Sequence, residues 1–326
     1  MPVYNTSKYL MECLESIINQ TEQSWELVAV DDFSTDSSHE ILCDYARTDQ
    51  RITVLKNDSK GIIGALRLAF KNSTGTFITR MDSDDLMKPK KLEILKSSLL
   101  ANGKKHLACG PVKYFADFEI GDGFNKYETW LNGLIKSGDN FQEIYKECVV
   151  PSPSWMCYME DFINCGGFAH DTYPEDYDLT FRFYDGGLKC IPSNEVLHLW
   201  RDYPTRTSRT DPNYADNTFI DIKLRYFLQL DHDNKKKIIV WGAGKKGKKI
   251  AQKLNEQNID FEWICDNPNK IGHVIYGKKL LKLDHNIFLG STQNLITIAN
   301  ITAQESISAT LRDNSLIKNK DYFFFC

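Results

Sequence analysis

Three carboxylates, Asp82, Asp84 and Asp85, lie within four positions at the end of the apolar stretch 75–81, which predicts a buried strand. Carboxylates this close repel one another unless a positive charge lies among them. A hard divalent cation, Mg²⁺ or Mn²⁺, prefers oxygen ligands and leaves coordination sites free for phosphate. We therefore expect a metal site that also holds a diphosphate, which points to nucleotide-sugar chemistry. The alternative is a helix N-cap, with Asp84 or Asp85 capping a helix that begins near Pro89.

Two further acidic pairs follow predicted elements. Asp31 and Asp32 end the predicted strand 25–30, and Glu175 and Asp176 follow a glycine-containing loop. In a doubly wound sheet, ligands bind in the crevice at the carboxyl ends of the strands. We therefore expect the acidic clusters to meet at one site. The alternative for Glu175 and Asp176 is a helix N-terminus, because the following residues have helical periodicity, and both interpretations can hold together.

The elements that must position these residues alternate between strands and helices. Helices are predicted over 8–19, 39–47 and 64–72, and strands over 25–30 and 52–55. Strands that alternate with helices of ten or so residues predict an α/β fold with a doubly wound sheet.

A polar break after residue 230 predicts the boundary between two domains. The first domain, 1–232, would end in an amphipathic linking helix over 214–230. The second domain, 235–326, begins with a strand-turn-helix unit and predicts a smaller Rossmann-like α/β domain. A chain of 326 residues is long enough for two domains that each have a core.

Composition narrows the class of protein. The formal net charge of −4 argues against indiscriminate nucleic-acid binding, although lysines cluster over 235–249. Nine cysteines, an odd number without a C-x-x-C pair, predict reduced thiols rather than disulfides or a metal site. The sequence has no signal peptide and no apolar stretch of about 18 residues. We therefore expect a cytoplasmic protein, soluble or peripheral at the inner face of a membrane.

Five ordered blocks of this sequence resemble glycosyltransferase family 2. They are Pro2–Asn5, Val30–Asp36, Arg80–Pro89, Gly166–Phe168 and Glu175–Leu179. The likeness covers roughly residues 1–210. It implies a GT-A fold with a mixed sheet, and an enzyme that inverts the anomeric centre of a nucleotide-activated sugar. The family has a full apolar strand before the first block, where this sequence has only Met1, so we expect that strand to be nearly absent.

The resemblance implies a nucleotide pocket near the start of the chain. Its lining would include Pro2, Tyr4, Asp31 and Asp32. Tyr4 would lie beside the base, and Asp32 would accept a hydrogen bond from it.

The resemblance also implies the residues around the diphosphate. Asp82 and Asp84 would serve the ribose-diphosphate and the Mg²⁺ or Mn²⁺, with Asp84 as the more direct ligand. Arg201, Arg206 and Arg209 lie where the family has a mobile, often basic segment, and could close over the diphosphate as bidentate donors. The alternative is a solvated loop that contains salt bridges.

Asp176 corresponds to the catalytic base of the family. A free Asp has a pKa near 3.9 and is a weak base at neutral pH, so we expect Glu175 and partial burial to raise the pKa of Asp176. Glu175 could instead bind the acceptor or the donor sugar. Arg67 could pair with a phosphate or a carboxylate, or be exposed, whereas His198 is expected to be structural.

The second domain carries a glycine turn that matches a dinucleotide-binding fingerprint. Gly242, Gly244 and Gly247 follow a predicted strand, and Asp266 ends the next one. About ninety residues are too few for the usual double βαβαβ unit. The alternatives are a structural or acceptor-positioning appendage, a nucleotide or nucleotide-sugar site, and a redox domain.

A narrower likeness extends over both domains. Blocks at 127–130, 153–157, 174–176, the turn at 241 and the tail 321–323 resemble the eukaryotic tRNA-queuosine galactosyltransferases. That likeness implies UDP-galactose as donor and tRNA as acceptor, with the lysine cluster contacting phosphate. A lysine cluster on a helix is also typical of a solvated face.

The sequence therefore predicts an inverting, metal-dependent glycosyltransferase that uses a nucleotide-sugar donor, with a UDP-sugar as the first candidate. The default acceptor is a glycan or glycoconjugate in polysaccharide or glycoconjugate synthesis, and tRNA is the alternative. Two competing classes remain: a nucleotide-dependent oxidoreductase built on the second domain, and a non-catalytic nucleotide-sugar-binding protein.

Overall fold

The structure is a computed structural model that describes residues 1–210, 219–284 and 291–326. The described chain forms two compact units. The first comprises 1–141 and 148–210, and the second comprises the remaining described residues.

The predicted division into 1–232 and 235–326 stays a prediction. The linking helix predicted over 214–230 begins outside the described residues. From residue 220 the chain is helical, first as Ile220–Tyr226 and then as a π-helical turn, Phe227–Asp231, and both lie in the second unit.

The first unit alternates strands and helices along the chain. Its strands are β1 (Pro2–Val3), β2 (Leu27–Asp31), β3 (Ile52–Lys56), β4 (Phe77–Thr79), β5 (Leu86–Met87), β6 (His106–Cys109), β7 (Val112–Phe115), β8 (Trp155–Tyr158), β9 (Lys189–Ile191) and β10 (His198–Arg201). Its helices are α1 (Ser7–Ile18), α2 (Ser38–Thr48), α3 (Ile62–Lys71), α4 (Lys91–Asn102), α5 (Asp122–Ser137), α6 (Met159–Asn164), α7 (Glu175–Asp185) and α8 (Thr207–Thr210). A 3₁₀ turn, Asn140–Glu143, begins in this unit and ends in the second.

Parallel and antiparallel pairs together confirm the predicted mixed α/β architecture. β1, β2 and β3 pair in parallel, with Val3 beside Asp31. A second ladder has the order β4-β8-β6-β9 and a third the order β5-β10-β7, each with parallel and antiparallel pairs. β2 is buried along its whole length, as a strand covered on both faces must be. Its carboxyl end therefore leads directly to the pair Asp31 and Asp32.

The main core of the first unit is formed where α1 packs on the sheet. Leu10, Cys13, Leu14 and Ile17 recur at helical spacing and are buried. They join one apolar cluster with Val3 and with side chains of β2 and α4. Burying one such aliphatic side chain contributes roughly 1.5–3 kcal/mol, so this face holds the sheet that carries the acidic residues.

The second unit contains a mainly parallel sheet, helices and a glycine turn. The helical segment Ile220–Tyr226 is α9, and the later elements are β11 (Lys237–Trp241), α10 (Lys245–Glu256), β12 (Phe261–Ile264), β13 (Val274–Ile275), β14 (Lys278–Leu281), β15 (Thr292–Ile296), α11 (Ile301–Asp313) and β16 (Tyr322–Phe324). Over the described residues of this unit the strand order is β13-β14-β12-β11-β15-β16, and only the β13–β14 pair is antiparallel. A Rossmann-like arrangement, predicted from the strand-turn-helix pattern, is therefore present.

Candidate active site

Asp85 is turned into the protein interior. It is fully buried, and its Oδ1 accepts a hydrogen bond from the backbone N–H of Arg201 at 2.8 Å. Its Oδ2 lies 3.0 Å from Nε2 of His198. Both oxygens are therefore used by the protein. Asp85 anchors the acidic turn, residues 82–85, which also carries the other two carboxylates.

Asp82 and Asp84 each use one oxygen within the protein. Nε of Arg80 donates to Oδ1 of Asp82 at 2.9 Å, and the Tyr203 hydroxyl donates to Oδ2 of Asp84 at 2.9 Å. Within the described part of the chain, the other oxygen of each carboxylate accepts no hydrogen bond. Two partly buried carboxylate oxygens are thus left for a ligand.

The two carboxylates differ in electrostatic environment. Burial and the neighbouring Asp85 raise the pKa of Asp84 to about 7. Burial acts in the same direction on Asp82, but Arg80 and then Arg206 outweigh it and hold the pKa of Asp82 below its usual value. Arg206 opposes the rise in the pKa of Asp84 but does not cancel it, and a bound cation would favour the ionised form.

The donor set fits a divalent cation whose coordination a diphosphate completes. Among the described residues, no three His, Cys, Asp or Glu side chains are grouped as a metal site. Mg²⁺ is usually held by one or two carboxylates together with water and substrate phosphates, rather than by an all-protein cage. The free oxygens of Asp82 and Asp84, with the raised pKa of Asp84, match that arrangement. Asp84 and Asp82 would hold the ion.

Arg80 joins the acidic turn to the N-terminus of α7. Its Nη1 donates to Oε1 of Glu175 at 2.8 Å while its Nε binds Asp82, and all three side chains are largely buried. Oε2 of Glu175 is buried and has no partner among the described residues. Arg80 was not among the site residues predicted from the sequence, although an arginine within an apolar stretch that ends in carboxylates was the available signal.

Asp176 has the pKa expected of a general base. Burial and the neighbouring Glu175 raise it to about 7, against the opposing effect of Arg80. The predicted direction of the shift and both predicted causes are therefore present. A carboxylate that titrates near neutral pH combines useful basicity with a large ionised fraction.

Two arginines hold the loop that precedes α7. Arg67 donates from Nε to the carbonyl of Phe168 and from Nη2 to the carbonyl of Ala169, both at 2.7 Å. Arg67 also pairs with Asp171 at 2.7 Å. Nη1 of Arg182 donates to the Cys165 and Gly167 carbonyls at 2.6 and 2.7 Å. Arg67 therefore binds a carboxylate, one of its predicted partners, and orients the chain that enters α7.

Asp31 and Asp32 organise the loops beside the predicted nucleotide pocket. Oδ1 of Asp32 accepts hydrogen bonds from Nδ2 of Asn57 at 2.7 Å and from the Gly61 N–H at 2.9 Å. Oδ1 of Asp31 accepts from the Ser34 N–H at 3.3 Å. Contact of Asp32 with a base stays a prediction, because both of its oxygens bind the chain near Gly61.

Tyr4 and Pro2 lie at the start of the chain, next to these loops. Pro2 belongs to β1 and pairs with Val30. The Tyr4 side chain is 46% exposed, and Nζ of Lys60 lies 3.2 Å from its hydroxyl. An exposed aromatic ring is available for stacking on a base, so the predicted role of Tyr4 is sterically open.

Thr6 connects this region with the acidic turn. Its hydroxyl donates to Oγ of Ser83 at 3.0 Å, and its N–H donates to Oγ of Ser38 at 3.0 Å. Ser83 lies between the two candidate metal ligands. The structure thus brings the loops after β1 and β2 to the same edge as the acidic turn.

The Arg201 guanidinium is held by protein groups. It donates from Nε to the Asp84 carbonyl at 2.8 Å and pairs with Glu12 at 2.6 Å. It also lies between the rings of Tyr9 and Phe115, at 4.6 and 4.5 Å from their centroids. In the structure Arg201 supports the backbone of the acidic turn, and its predicted contact with the diphosphate stays a prediction.

Arg206 and Arg209 follow this strand. Arg206 lies 5.5 Å from the Trp200 ring centroid and lowers the pKa of Asp82, which places its charge near the acidic turn. Arg209 pairs with the buried Asp202 at 2.5 Å. Of the two, Arg206 is the arginine that faces the candidate cation site.

In the second unit, the glycine turn is filled by protein groups. Gly242 has a φ of +97°, and a Cβ on Gly247 would lie 2.0 Å from the Gly242 carbonyl oxygen. That oxygen accepts a hydrogen bond from Nε1 of Trp263 at 2.8 Å, and Nζ of Lys270 donates to the Ala243 carbonyl at 3.0 Å. Close packing of strand on helix thus explains these two glycines without a ligand.

The other predicted residues of this turn occupy its rim. Gly244 precedes α10 as its N-cap, and Asp266 is exposed beyond the end of β12. Whether they bind a nucleotide stays a prediction.

The lysine cluster is partly neutralised. Lys236 pairs with Asp321 at 2.7 Å, and Lys237 pairs with Glu262. Lys249 lies 3.6 Å from Asp221. These partners reduce the positive field that binding of RNA would need. Across residues 1–210, 219–284 and 291–326, no helix has both the length and the hydrophobicity needed to cross a bilayer.

Comparisons with known proteins agree on the first unit. Residues 1–165, just over half of the chain, match the sequence profile of Glycosyl transferase family 2. EpsE of Bacillus subtilis strain 168, whose name assigns it to the glycosyltransferases, is 38% identical over 226 residues, which cover 68% of this chain and 78% of EpsE.

Two solved structures share the fold. Residues 1–349 of TarS from S. aureus, in complex with UDP, superpose with a TM-score of 0.50 at 17% identity, covering 78% of this chain and 70% of that one. The mannosyltransferase PcManGT from Pyrobaculum calidifontis, in complex with GDP-Man and Mn²⁺, gives a TM-score of 0.52 at 18% identity, covering 77% and 66%. At such identities the likeness extends to the fold alone.

Proposed function

Because this chain belongs to glycosyltransferase family 2, we propose that it transfers a sugar from a nucleotide-diphosphate donor to an acceptor hydroxyl, with inversion at the anomeric carbon. The observation that carries the proposal is the pairing of Arg80 with both Asp82 and Glu175. That pairing joins carboxylates suited to a cation and a diphosphate to the pair that contains Asp176.

The donor side of the site would be the acidic turn. Asp84 and Asp82 would hold Mg²⁺ or Mn²⁺ through their free oxygens, and Arg206 would add positive charge. The bound ion would supply electrostatic stabilisation of the negative charge that gathers on the departing diphosphate. The fold neighbours bound to UDP and to GDP-Man with Mn²⁺ support a nucleotide donor, with a UDP-sugar as the first candidate.

The acceptor side would be the N-terminus of α7. Inversion in one displacement requires a base that takes the proton of the attacking hydroxyl on the face opposite the leaving group. Asp176 suits that role, because its raised pKa lets it accept a proton near neutral pH. Arg80 would hold Glu175 and thereby orient the start of α7.

The acceptor would be a hydroxyl of a glycan or glycoconjugate. A tRNA acceptor has less support, because acidic side chains pair with part of the lysine cluster. Membership of this family assigns the chemistry to the first unit, so the oxidoreductase alternative would require a further activity of the second.

Asp176→Asn tests the assignment of the base. The amide keeps the size of the side chain but cannot take a proton, so turnover of a UDP-sugar should fall at least about a thousandfold, within the range that general bases contribute. Affinity for UDP with Mn²⁺, measured by calorimetry, should stay within about threefold of the wild type, since Asp176 does not hold the diphosphate.

Asp185→Asn is the matched control, because Asp185 ends the same helix and is exposed. It should keep wild-type turnover. Undiminished transfer by the Asp176 variant would refute the assigned role.

A further inference from the structure

A buried chain of polar side chains leads from α4 to the acidic turn. Nζ of Lys91 lies 3.1 Å from Nδ1 of His198, and Nε2 of His198 lies 3.0 Å from Oδ2 of Asp85. Lys91 also donates to the carbonyl of Pro153. Lys91, His198 and Asp85 have no exposed surface. Three stretches that are distant in sequence, 85–91, Pro153 and His198, therefore meet through one lysine and one histidine.

The chemistry of these groups orients the histidine. Burial lowers the pKa of Lys91 to about 7, and the nearby Asp85 opposes that shift. The protonated Lys91 has donors only, so Nδ1 of His198 accepts from it and Nε2 of the neutral ring carries the hydrogen. Burial and the nearby Lys91 lower the pKa of His198 well below its usual value, which keeps the ring neutral. The single N–H of His198 therefore points at Asp85 and donates to it.

Burial of these groups is costly unless their polar atoms are used. A lysine and a histidine without solvent exposure are among the least favourable side chains to place in a core, and apolar residues of similar volume would pack there without that penalty. The chain of hydrogen bonds ends at one carboxylate only. Its effect is thus to orient Asp85.

Orientation of Asp85 determines the position of its neighbours. The N–H of Asp85 donates to the Asp82 carbonyl at 3.3 Å, which closes the turn, and Asp84 lies between them. The backbone N–H of Arg201 binds the second oxygen of Asp85, and its guanidinium binds the Asp84 carbonyl. The turn is thus held from behind, while free oxygens of Asp82 and Asp84 remain for a ligand.

We propose that His198 and Lys91 are positioning residues that orient the acidic turn through Asp85 and so set the cation-dependent affinity of the site for the donor diphosphate. Neither residue touches the substrate. The inference rests on the proposed function, since it takes Asp82 and Asp84 as the cation site.

The test compares His198→Gln with His198→Leu. A glutamine amide can accept from Lys91 through Oε1 and donate to Asp85 through Nε2, whereas leucine fills the space without polar atoms. Calorimetric titration with UDP, in Mn²⁺ and in EDTA, gives for each variant the gain in affinity that the cation provides. His198→Leu should lower that gain at least about tenfold, and His198→Gln should stay within about threefold of the wild type.

Lys91→Met supplies a second variant that keeps the length of the side chain. Without its donor, Nδ1 of His198 loses the partner that fixes the orientation of the ring, so the N–H at Nε2 is no longer held against Asp85. The gain should fall as in His198→Leu. Lys90→Met is the matched control, because Lys90 is exposed and adjacent, and it should keep the wild-type gain. Thermal unfolding of the metal-free proteins measures how much packing each variant loses, separately from its loss of cation-dependent UDP affinity.

The outcomes separate the two proposals. If Mn²⁺ raises the UDP affinity of both His198→Leu and Lys91→Met as much as that of the wild type, the inference is overturned but the proposed function is not. The same holds if His198→Gln loses as much of this gain as His198→Leu. If His198→Leu fails to fold, Lys91→Met and His198→Gln decide. A wild-type protein whose UDP affinity is the same with and without Mn²⁺ overturns the proposed function and this inference with it.

Discussion

At the scale of single residues, Asp82 and Asp176 differ in the direction of their pKa shifts. Arg80 binds Asp82 directly and keeps the pKa of Asp82 low, while the pKa of Asp176 rises to about 7 through burial and Glu175. Groups whose environments drive their pKa values apart can take different roles in one site. Asp82 is thereby suited to a permanent charge near the diphosphate, and Asp176 to proton transfer.

The raised pKa of Asp176 predicts how turnover depends on pH. The base must be ionised to accept a proton, so kcat at saturating donor and Mn²⁺ should rise with pH and level off above about 8. One pH unit below the pKa, near pH 6, about a tenth of the base is ionised, and kcat should be about tenfold lower than on the plateau. The measurement is the initial rate of UDP release between pH 5.5 and 9.

The exposed Asp185 provides the comparison for this profile. Asp185→Asn should show the same rise as the wild type. A rate that stays constant from pH 5.5 to 9 would mean that no base with a pKa near 7 limits turnover.

At the scale of elements, helix periodicity and strand composition predicted the alternating strands and helices of the first unit as far as the acidic turn. The helix predicted over 39–47 is α2, Ser38–Thr48, and the one over 64–72 is α3, Ile62–Lys71. The strand predicted over 75–81 is shorter, because β4 ends at Thr79, where its pairing with β8 also ends. An apolar pattern does not show the length of the partner strand, and so could not predict that Arg80 leaves the ladder.

The acidic turn shows the same limit at the level of side chains. Three neighbouring carboxylates were visible in the sequence, but not which of them is turned inward. That outcome depends on His198, which lies 113 positions from Asp85 and was expected only to be structural. Its structural role is thus in agreement with the prediction, while its connection to Asp85 needed the fold.

The glycine turn of the second unit predicts a contrast between two substitutions. In Gly247→Ala the new Cβ would lie 2.0 Å from the carbonyl oxygen of Gly242, so strand and helix would have to separate. We expect a loss of at least about 2 kcal/mol in the free energy of unfolding, in the range that overpacking costs. Thermal and denaturant unfolding followed by Trp fluorescence would measure it.

Gly244→Ala is the control within the same turn. No heavy atom lies within 4 Å of its Cβ position, and its φ is −82°. Its stability should change by no more than about 1 kcal/mol. Equal effects of the two substitutions would contradict the packing role assigned to Gly247.

At the scale of the whole molecule, the two units differ in how far their residues indicate a function. The first unit matches a glycosyltransferase family and gathers its acidic residues around one edge of its sheets. In the second, two of the three fingerprint glycines are accounted for by close packing. The sequence predicted the chemistry from residue types at strand ends. The sequence could not predict whether the second unit binds a ligand, because a glycine turn can serve either close packing or phosphate binding.

In the proposed mechanism, Asp82 and Asp84 would hold a cation that also binds the donor diphosphate. The dissociation constant of UDP, measured by calorimetry with Mn²⁺ and with EDTA for the wild type and for Asp84→Asn, tests this directly. We predict that Mn²⁺ tightens UDP binding at least about tenfold in the wild type, and that Asp84→Asn loses this gain, since a neutral amide is a much weaker ligand. Equal UDP affinity with and without Mn²⁺, or an undiminished gain in Asp84→Asn, would contradict this mechanism.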